Sequence, residues 1–297
     1  MLLQPVERGI EQDSDIRGLV GTLFLSRGWK ESRLMALAGY FDASGHEADQ
    51  RFVIVAGFIS SPDDWIDFDK HWRARLAKDG LEYFHAEEFA HSREQFADGW
   101  KGNHLRRNSL SNDLMEIISA HTYEKFGCVV VNQVLAAEMT EETRTQFLIN
   151  AYSLGGRSCA ADVRRWQLGW GGKTVPELVF EDGDIGKGLL RKVLLRDGFA
   201  EPLFGPKKDQ VSGDGLIIPA LTPLQAADWL AYEVFLASKS QSINRWPMQQ
   251  FLLKPGSVGL YSPHDLQALE LALTTPPGQI ILVPIEEEWD LSTGVTK

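Results

Sequence analysis

The chain has 297 residues, 43% hydrophobic and 24% charged, with 30 Lys and Arg against 41 Asp and Glu for a formal charge of −11. That is the balance of a globular chain long enough to bury a core without staples. The acidic surplus argues against a nonspecific nucleic-acid coat, which is usually basic. Cys128 and Cys159 are the only two cysteines, so a disulfide framework, a cysteine-rich zinc module and an iron–sulfur cluster are excluded. A reducing cytoplasm suits such a chain. The opening residues lack a basic region followed by an apolar run, so a secretory signal is not expected. No apolar stretch approaches the roughly 18 residues of a membrane span. Internal repeats and low-complexity tracts are absent.

Residues 1–33 show neither alternation nor a helical stripe, apart from the short run Gly21-Thr22-Leu23-Phe24-Leu25. Patterned sequence begins at Leu34-Met35, and Lys30-Glu31 is encodable as a purine-rich ribosome-binding sequence just upstream. Translation from Met35 is one expectation, with residues 1–34 as an artefact of the assigned start; a genuine N-terminal extension is the other. The intact mass of protein made from the native gene separates them.

Residues 34–41 and 52–59 read as two interior strands, because both are nearly continuous apolar runs, joined by a turn at 44–49. Ser61-Pro62-Asp63-Asp64 opens a helix with a cap, a first-position proline and a capping box at Asp64. Trp65, Phe68, Trp72 and Leu76 form its stripe, and Gly80 ends it. A short strand is expected at 81–84, a helix at 105–121 and a strand at 126–131. A long helix is expected from Thr140 through Trp166, interrupted at Gly155-Gly156. Then come a strand at 176–180, a helix from Ile185 to Arg196, a loop rich in Gly, Pro and Lys, and a helix at 222–238. Helical pieces near 247–253 and 264–273 and a strand at 279–283 finish the chain. Leading strands followed by alternating helices argue one α/β domain with a mixed sheet, over residues 35–297, with a C-terminal extension after about 240.

Several motifs fail on spacing. Gly172-Lys173-Thr174 resembles the end of a phosphate-binding loop, but the position that should hold its first glycine is Gln167. His85-Ala86-Glu87 matches the opening of zinc deaminases without the Cys pair that completes the site. The H-E-x-x-H signature, the G-x-S-x-G elbow and the G-x-G-x-x-G fingerprint are all missing.

Carboxylates stand out instead. Asp42 ends the first apolar strand. Glu181 ends Leu178-Val179-Phe180, with Asp182 and Asp184 adjacent. Asp228 falls on the apolar stripe Leu224, Asp228, Ala231, Phe235. Carboxylates are rarely buried unless paired or coordinated. Each also has a plain reading: Asp42 as a turn residue, Glu181 as part of a solvated loop, Asp228 as the partner of an arginine or the cap of a neighbouring helix. Together, two acids at strand ends and one on a late helix can converge at the carboxyl edge of a sheet, where α/β proteins build sites. Clustered carboxylates need a cation to stay ionised, and hard oxygen donors without cysteine point to Mg²⁺ or Mn²⁺. Phe84-His85-Ala86-Glu87-Glu88-Phe89 is a second cluster. There His85 could act as general acid or orient a leaving group, and Glu87 or Glu88 could add a metal ligand. A helix N-terminus, which favours acids, is the plain alternative.

The segments Tyr40-Phe41-Asp42-Ala43-Ser44-Gly45, Phe84-His85-Ala86-Glu87 and Leu224-Gln225-Ala226-Ala227-Asp228-Trp229-Leu230-Ala231-Tyr232 resemble, in order and spacing, a bacterial and phage family known as domain of unknown function 3800. The resemblance spans roughly residues 36–236. It implies a ribonuclease H-like fold, a mixed five-stranded sheet with flanking helices, and a carboxylate cluster binding two divalent metals for phosphodiester hydrolysis. Asp42, His85 and Asp228 carry over by motif, with Glu181 or Asp182 as a weaker transfer. The family's second acid is Ala43 here.

The leading expectation is therefore a nuclease with catalytic residues Asp42, His85, Glu181 and Asp228. Asp42 would bridge two ions, Glu181 and Asp228 would each hold one, and Glu87 is a further ligand candidate. The alternatives are a noncatalytic binding or regulatory module of a phage-defence or mobile-element system, and a phosphoesterase acting on nucleotides or another small phosphorylated substrate. The expected partner is nucleic acid or nucleotide, not a membrane. The basic pairs Arg106-Arg107, Arg164-Arg165, Arg191-Lys192 and Lys207-Lys208 would favour a polynucleotide if they lined one face beside the acids.

Overall fold

The computed structural model describes residues 37–45, 51–169, 175–184 and 186–275. Expectations for residues 1–34, the tip of the first turn and the strand at 279–283 fall outside them. The described strands are β1 (Ala38–Ser44), β2 (Phe52–Ser60), β3 (Glu124–Val131), β4 (Glu177–Glu181), β5 (Leu203–Gly205), the two-residue β6 (Gln210–Val211) and β7 (Ile217–Ile218), and β8 (Gly256–Leu260). The helices are α1 (Pro62–Lys78), α2 (Ala86–His91), α3 (His104–His121), α4 (Asn132–Glu138), α5 (Glu141–Gln146), α6 (Ala151–Gly169), α7 (Lys187–Arg196), α8 (Thr222–Ser240), α9 (Trp246–Leu253) and α10 (Pro263–Thr274). Among these residues no helix is long and apolar enough to cross a membrane.

The chain is an α/β protein whose six-stranded mixed sheet runs β5-β4-β1-β2-β3-β8. β1 pairs antiparallel with β2 and parallel with β4, and β2 pairs antiparallel with β3. This agrees with a ribonuclease H-like α/β fold, with β8 added beyond five strands. Each face of the sheet is covered by helices, which is why β1 and β2 are apolar on both sides. Tyr40, Ile54, Phe58 and Val179 face a core built with Trp65, Phe68 and Trp72 of α1, Leu110 and Leu114 of α3, Trp229 and Leu230 of α8 and Phe251 of α9. Phe41, Val55, Cys128 and Phe180 face a second core with Leu154, Cys159 and Val163 of α6, Leu190 of α7 and Leu266 of α10.

Two expectations need correction. Residues 81–84 form no strand: the amide of Phe84 donates to the Gln225 side chain at 2.9 Å instead of to a neighbouring strand. The long helix is two, broken not at the glycines but at residues 147–150, where Leu148 takes φ 60°. Gly155 and Gly156 lie inside α6, where a Cβ would stand 3.0 Å from Val55 and 2.7 Å from Leu190. Their bareness lets the helix approach β2 and α7 closely. The next helix spans Lys187–Arg196, and the expected start at Ile185 lies outside the described residues. Residues after 240 supply α9, β8 and α10, and β8 is the outermost strand beside β3. The α1 start is as read: Ser61 Oγ accepts from the Asp64 amide at 3.1 Å, although Asp64 returns its carboxylate to the Ser61 hydroxyl and not to the backbone.

Candidate metal centre

Register assembles the first half of the site. β1 and β4 are parallel, with Phe41 opposite Phe180, so the next residues, Asp42 and Glu181, emerge side by side at the strands' carboxyl ends. Both lie on the α8 side of the sheet, in phase with Tyr40 and Val179. After Glu181 the chain turns through Gly183, whose amide donates back to Glu181 Oε2, and returns Asp184 to the same corner. Oxygens of Asp42, Glu181 and Asp184 all lie within 4.8 Å of one another, so these three acids could hold a metal ion. Asp184 Oδ2 is buried and has no hydrogen-bond partner among the described residues. Three converging carboxylates are a donor set suited to a hard divalent cation.

Burial pushes the Asp42 carboxyl well above the ordinary carboxylate range, reinforced by Asp228 and Asp184 and opposed by Lys207. Asp184 is pushed up to about 7, by burial first and then by Glu181. Tyr152 stands beside Asp184, and burial together with these acids raises its hydroxyl above the usual value.

The second half comes from α8. That helix lies against β1 and β2 and is buried almost all round. Gln225 and Asp228, three residues apart on one face, therefore enter the interior together. Gln225 is fully buried, accepts from Trp72 Nε1 at 2.8 Å and from the Phe84 amide, and donates to the Lys207 carbonyl at 2.8 Å. It thus ties α1, the segment before α2 and the loop after β5 to one point. Asp228 accepts from the Ala86 amide at 2.7 Å and from Lys207 Nζ at 3.0 Å. Burial works against its charge, but Lys207, His85 and that amide outweigh it and hold its carboxyl below the ordinary range.

His85 precedes α2 with its Nε2 3.6 Å from Asp228 Oδ1 and its Nδ1 3.2 Å from Glu88 Oε1. A cavity of about 500 Å³ opens over the centre, lined by His85, Glu87, Glu181, Asp184, Lys207 and Asp228 among others. Glu87 stands at its exposed rim, 3.5 Å from Arg93, and is not in the carboxylate triplet. Ala43 packs against the second core and also borders the cavity, without being one of the three acids.

The structure thus joins Asp42 to Glu181 directly and to Asp228 through Lys207, with His85 alongside. Sequence reading passed over Asp184, Lys207, Gln225 and Tyr152 as site residues. Gln225 was findable from its spacing to Asp228, and Asp184 from the glycine that lets the chain double back. Lys207 carries no such signal.

Comparison with protein-family models, with curated proteins and with solved structures finds no match to this chain.

Proposed function

We propose that the chain is a divalent-metal-dependent phosphodiester hydrolase of the domain of unknown function 3800 family, taking Mg²⁺ or Mn²⁺ at Asp42, Glu181 and Asp184. The observation that carries this reading is the triplet itself: three acidic side chains with converging oxygens at the carboxyl edge of the sheet. A divalent ion so placed supplies Lewis acidity and lowers the pKa of water. The chain's own contribution is to hold that charge rigidly on two strand ends and to present His85 Nε2 at the cavity wall, where it can pass a proton to a leaving oxygen. Asp228 orients His85 and Lys207 from behind.

One observation favours a nucleotide or another small phosphorylated compound over a long polymer. Of the basic pairs, only Lys207-Lys208 reaches the cavity, through Lys207. Arg106 is engaged with Asp79 and lies over Trp100, Arg107 lies over Phe89, Arg191 pairs with Glu201, and Arg164 and Arg165 line a separate depression beside α6. The cavity volume is that of a small-ligand site.

The test is Mn²⁺-supported cleavage of single- and double-stranded DNA, RNA, nucleotides and small phosphodiesters. Activity on at least one class is expected, abolished in Asp42→Asn. His85→Ala should lower turnover by roughly 10²–10⁴-fold while leaving Mn²⁺ binding intact. Turnover undiminished in Asp42→Asn would retire the reading.

A further inference from the structure

A two-ion site needs a second cation between Asp42 and Asp228. That position is taken. Lys207 Nζ donates to Asp42 Oδ2 at 2.7 Å and to Asp228 Oδ1 at 3.0 Å. The Lys207 side chain is largely enclosed, held between these two acids.

The backbone on both sides of the lysine is anchored, which holds its Cα beside the acids. β5 pairs in parallel with β4, with Gly205 opposite Glu181, which brings residue 207 to the same sheet edge as the acids. The Pro206 carbonyl accepts from the Leu221 amide at 2.9 Å. The Lys207 carbonyl accepts from the buried Gln225 side chain. The next residue, Lys208, is bound to Glu88. A divalent ion entering between Asp42 and Asp228 would have to expel an ammonium from two buried carboxylates and leave it without either partner, which is strongly unfavourable.

We propose that Lys207 permanently replaces the second divalent ion, so that the site takes one metal and supplies its other positive charge from the protein. This rests on the metal-site reading above. The triplet of Asp42, Glu181 and Asp184 is the single ion's place. Asp228, which the two-ion scheme makes a ligand, instead holds the lysine. The ammonium borders the cavity and meets an anionic substrate as a fixed charge, independent of metal concentration.

Counting Mn²⁺ on the full-length protein, by calorimetric titration and by the loss of the free-ion electron paramagnetic resonance signal, tests this without any assay of activity. Wild type should take one Mn²⁺ per chain. Lys207→Ala, which frees Asp42 and Asp228, should take two. Asp228→Asn, which keeps the shape and the oxygen facing the Ala86 amide, should still take one, whereas a two-ion site would lose an ion. Two ions on the wild-type chain, or a folded Lys207→Ala chain that still takes one, would overturn the replacement while leaving the metal site standing. No Mn²⁺ on wild type would bring down the metal reading itself, a distinct failure.

Discussion

Asp228 and Asp184 face one cavity from opposite walls, and their surroundings differ in kind. Asp228 sits on a long buried helix and meets a lysine, a backbone amide and a histidine; its charge is answered by the protein, and its carboxyl is held below the ordinary range. Asp184 sits on a turn beyond β4, beside two other acids, with one oxygen buried and unpartnered; its carboxyl is pushed up to about 7. The α8 wall is complete as folded. The β4 wall gathers three acids that could hold a metal ion. Burial of an acid therefore says little by itself, and the partners within reach decide whether it is scaffold or ligand.

The largest effect expected from this contrast is on stability. Asp228→Ala strips Lys207 of one carboxylate and leaves the buried Ala86 amide without its acceptor, so metal-free unfolding free energy should fall by about 3–5 kcal/mol in denaturant titrations. A loss below about 1 kcal/mol would mean that the α8 wall is not the scaffold described.

Asp184→Asn should act in the opposite direction. A carboxyl with a folded pKa near 7 against an ordinary 3.8 keeps its proton in the folded state while the unfolded chain releases it. Stability of the metal-free protein therefore declines as pH rises between those values, and the full cost stands above about pH 7. The amide removes that slope and should raise stability at pH 8 by about 1–3 kcal/mol. The same substitution should abolish the Mn²⁺-induced rise in melting temperature, which in wild type should reach several degrees at a hundredfold excess over Kd. A variant less stable than wild type at pH 8 would place Asp184 among the scaffold residues.

The acids of this site were partly legible in the sequence, their partners were not, and both outcomes have physical causes. Asp42 and Glu181 could be read as site residues because each ends an apolar strand, and strand ends of a parallel pair share an edge. Asp228 could be read because a carboxylate on an apolar stripe is anomalous whatever its partner. The partner was not legible. Lys207 lies in a loop without periodicity, and it reaches the site only through the register of β5 on β4. β8 was missed for a related reason: Gly256-Ser257-Val258-Gly259-Leu260 has little strand propensity of its own and is ordered by pairing with β3. Residues 81–84 show the converse. Their aromatic pattern suits a strand, but Gln225 claims the Phe84 amide.

A smaller effect sharpens the geometry of the β4 wall. A Cβ at residue 183 would stand 2.7 Å from Glu181 Oε2, so Gly183→Ala should turn that carboxylate out of the triplet. Mn²⁺ affinity should fall roughly tenfold by titration, with global stability changed by less than about 1 kcal/mol. Unchanged affinity would exclude Glu181 as a ligand.

The smallest effect belongs to the rim. Glu87→Gln removes an exposed pairing with Arg93 and should alter stability by less than about 0.5 kcal/mol, with Mn²⁺ binding unchanged. Weakened binding would extend the ligand set to α2.

The break between α5 and α6 has an electrostatic result. With the chain turned at Leu148, a new helix begins where Asn150 Oδ1 accepts from the Ser153 amide at 2.7 Å. That starting turn carries Tyr152 beside Asp184, and Asn150 lies close against Gly186 just beyond the acids. A helix start carries about half a positive charge from its aligned peptide dipoles. An unbroken helix from Thr140 would have no end at that point, and the dipole of α6 would not begin near Asp184. The left-handed residue at 148 thereby adds a diffuse backbone field near carboxylates that also meet the point charge of Lys207.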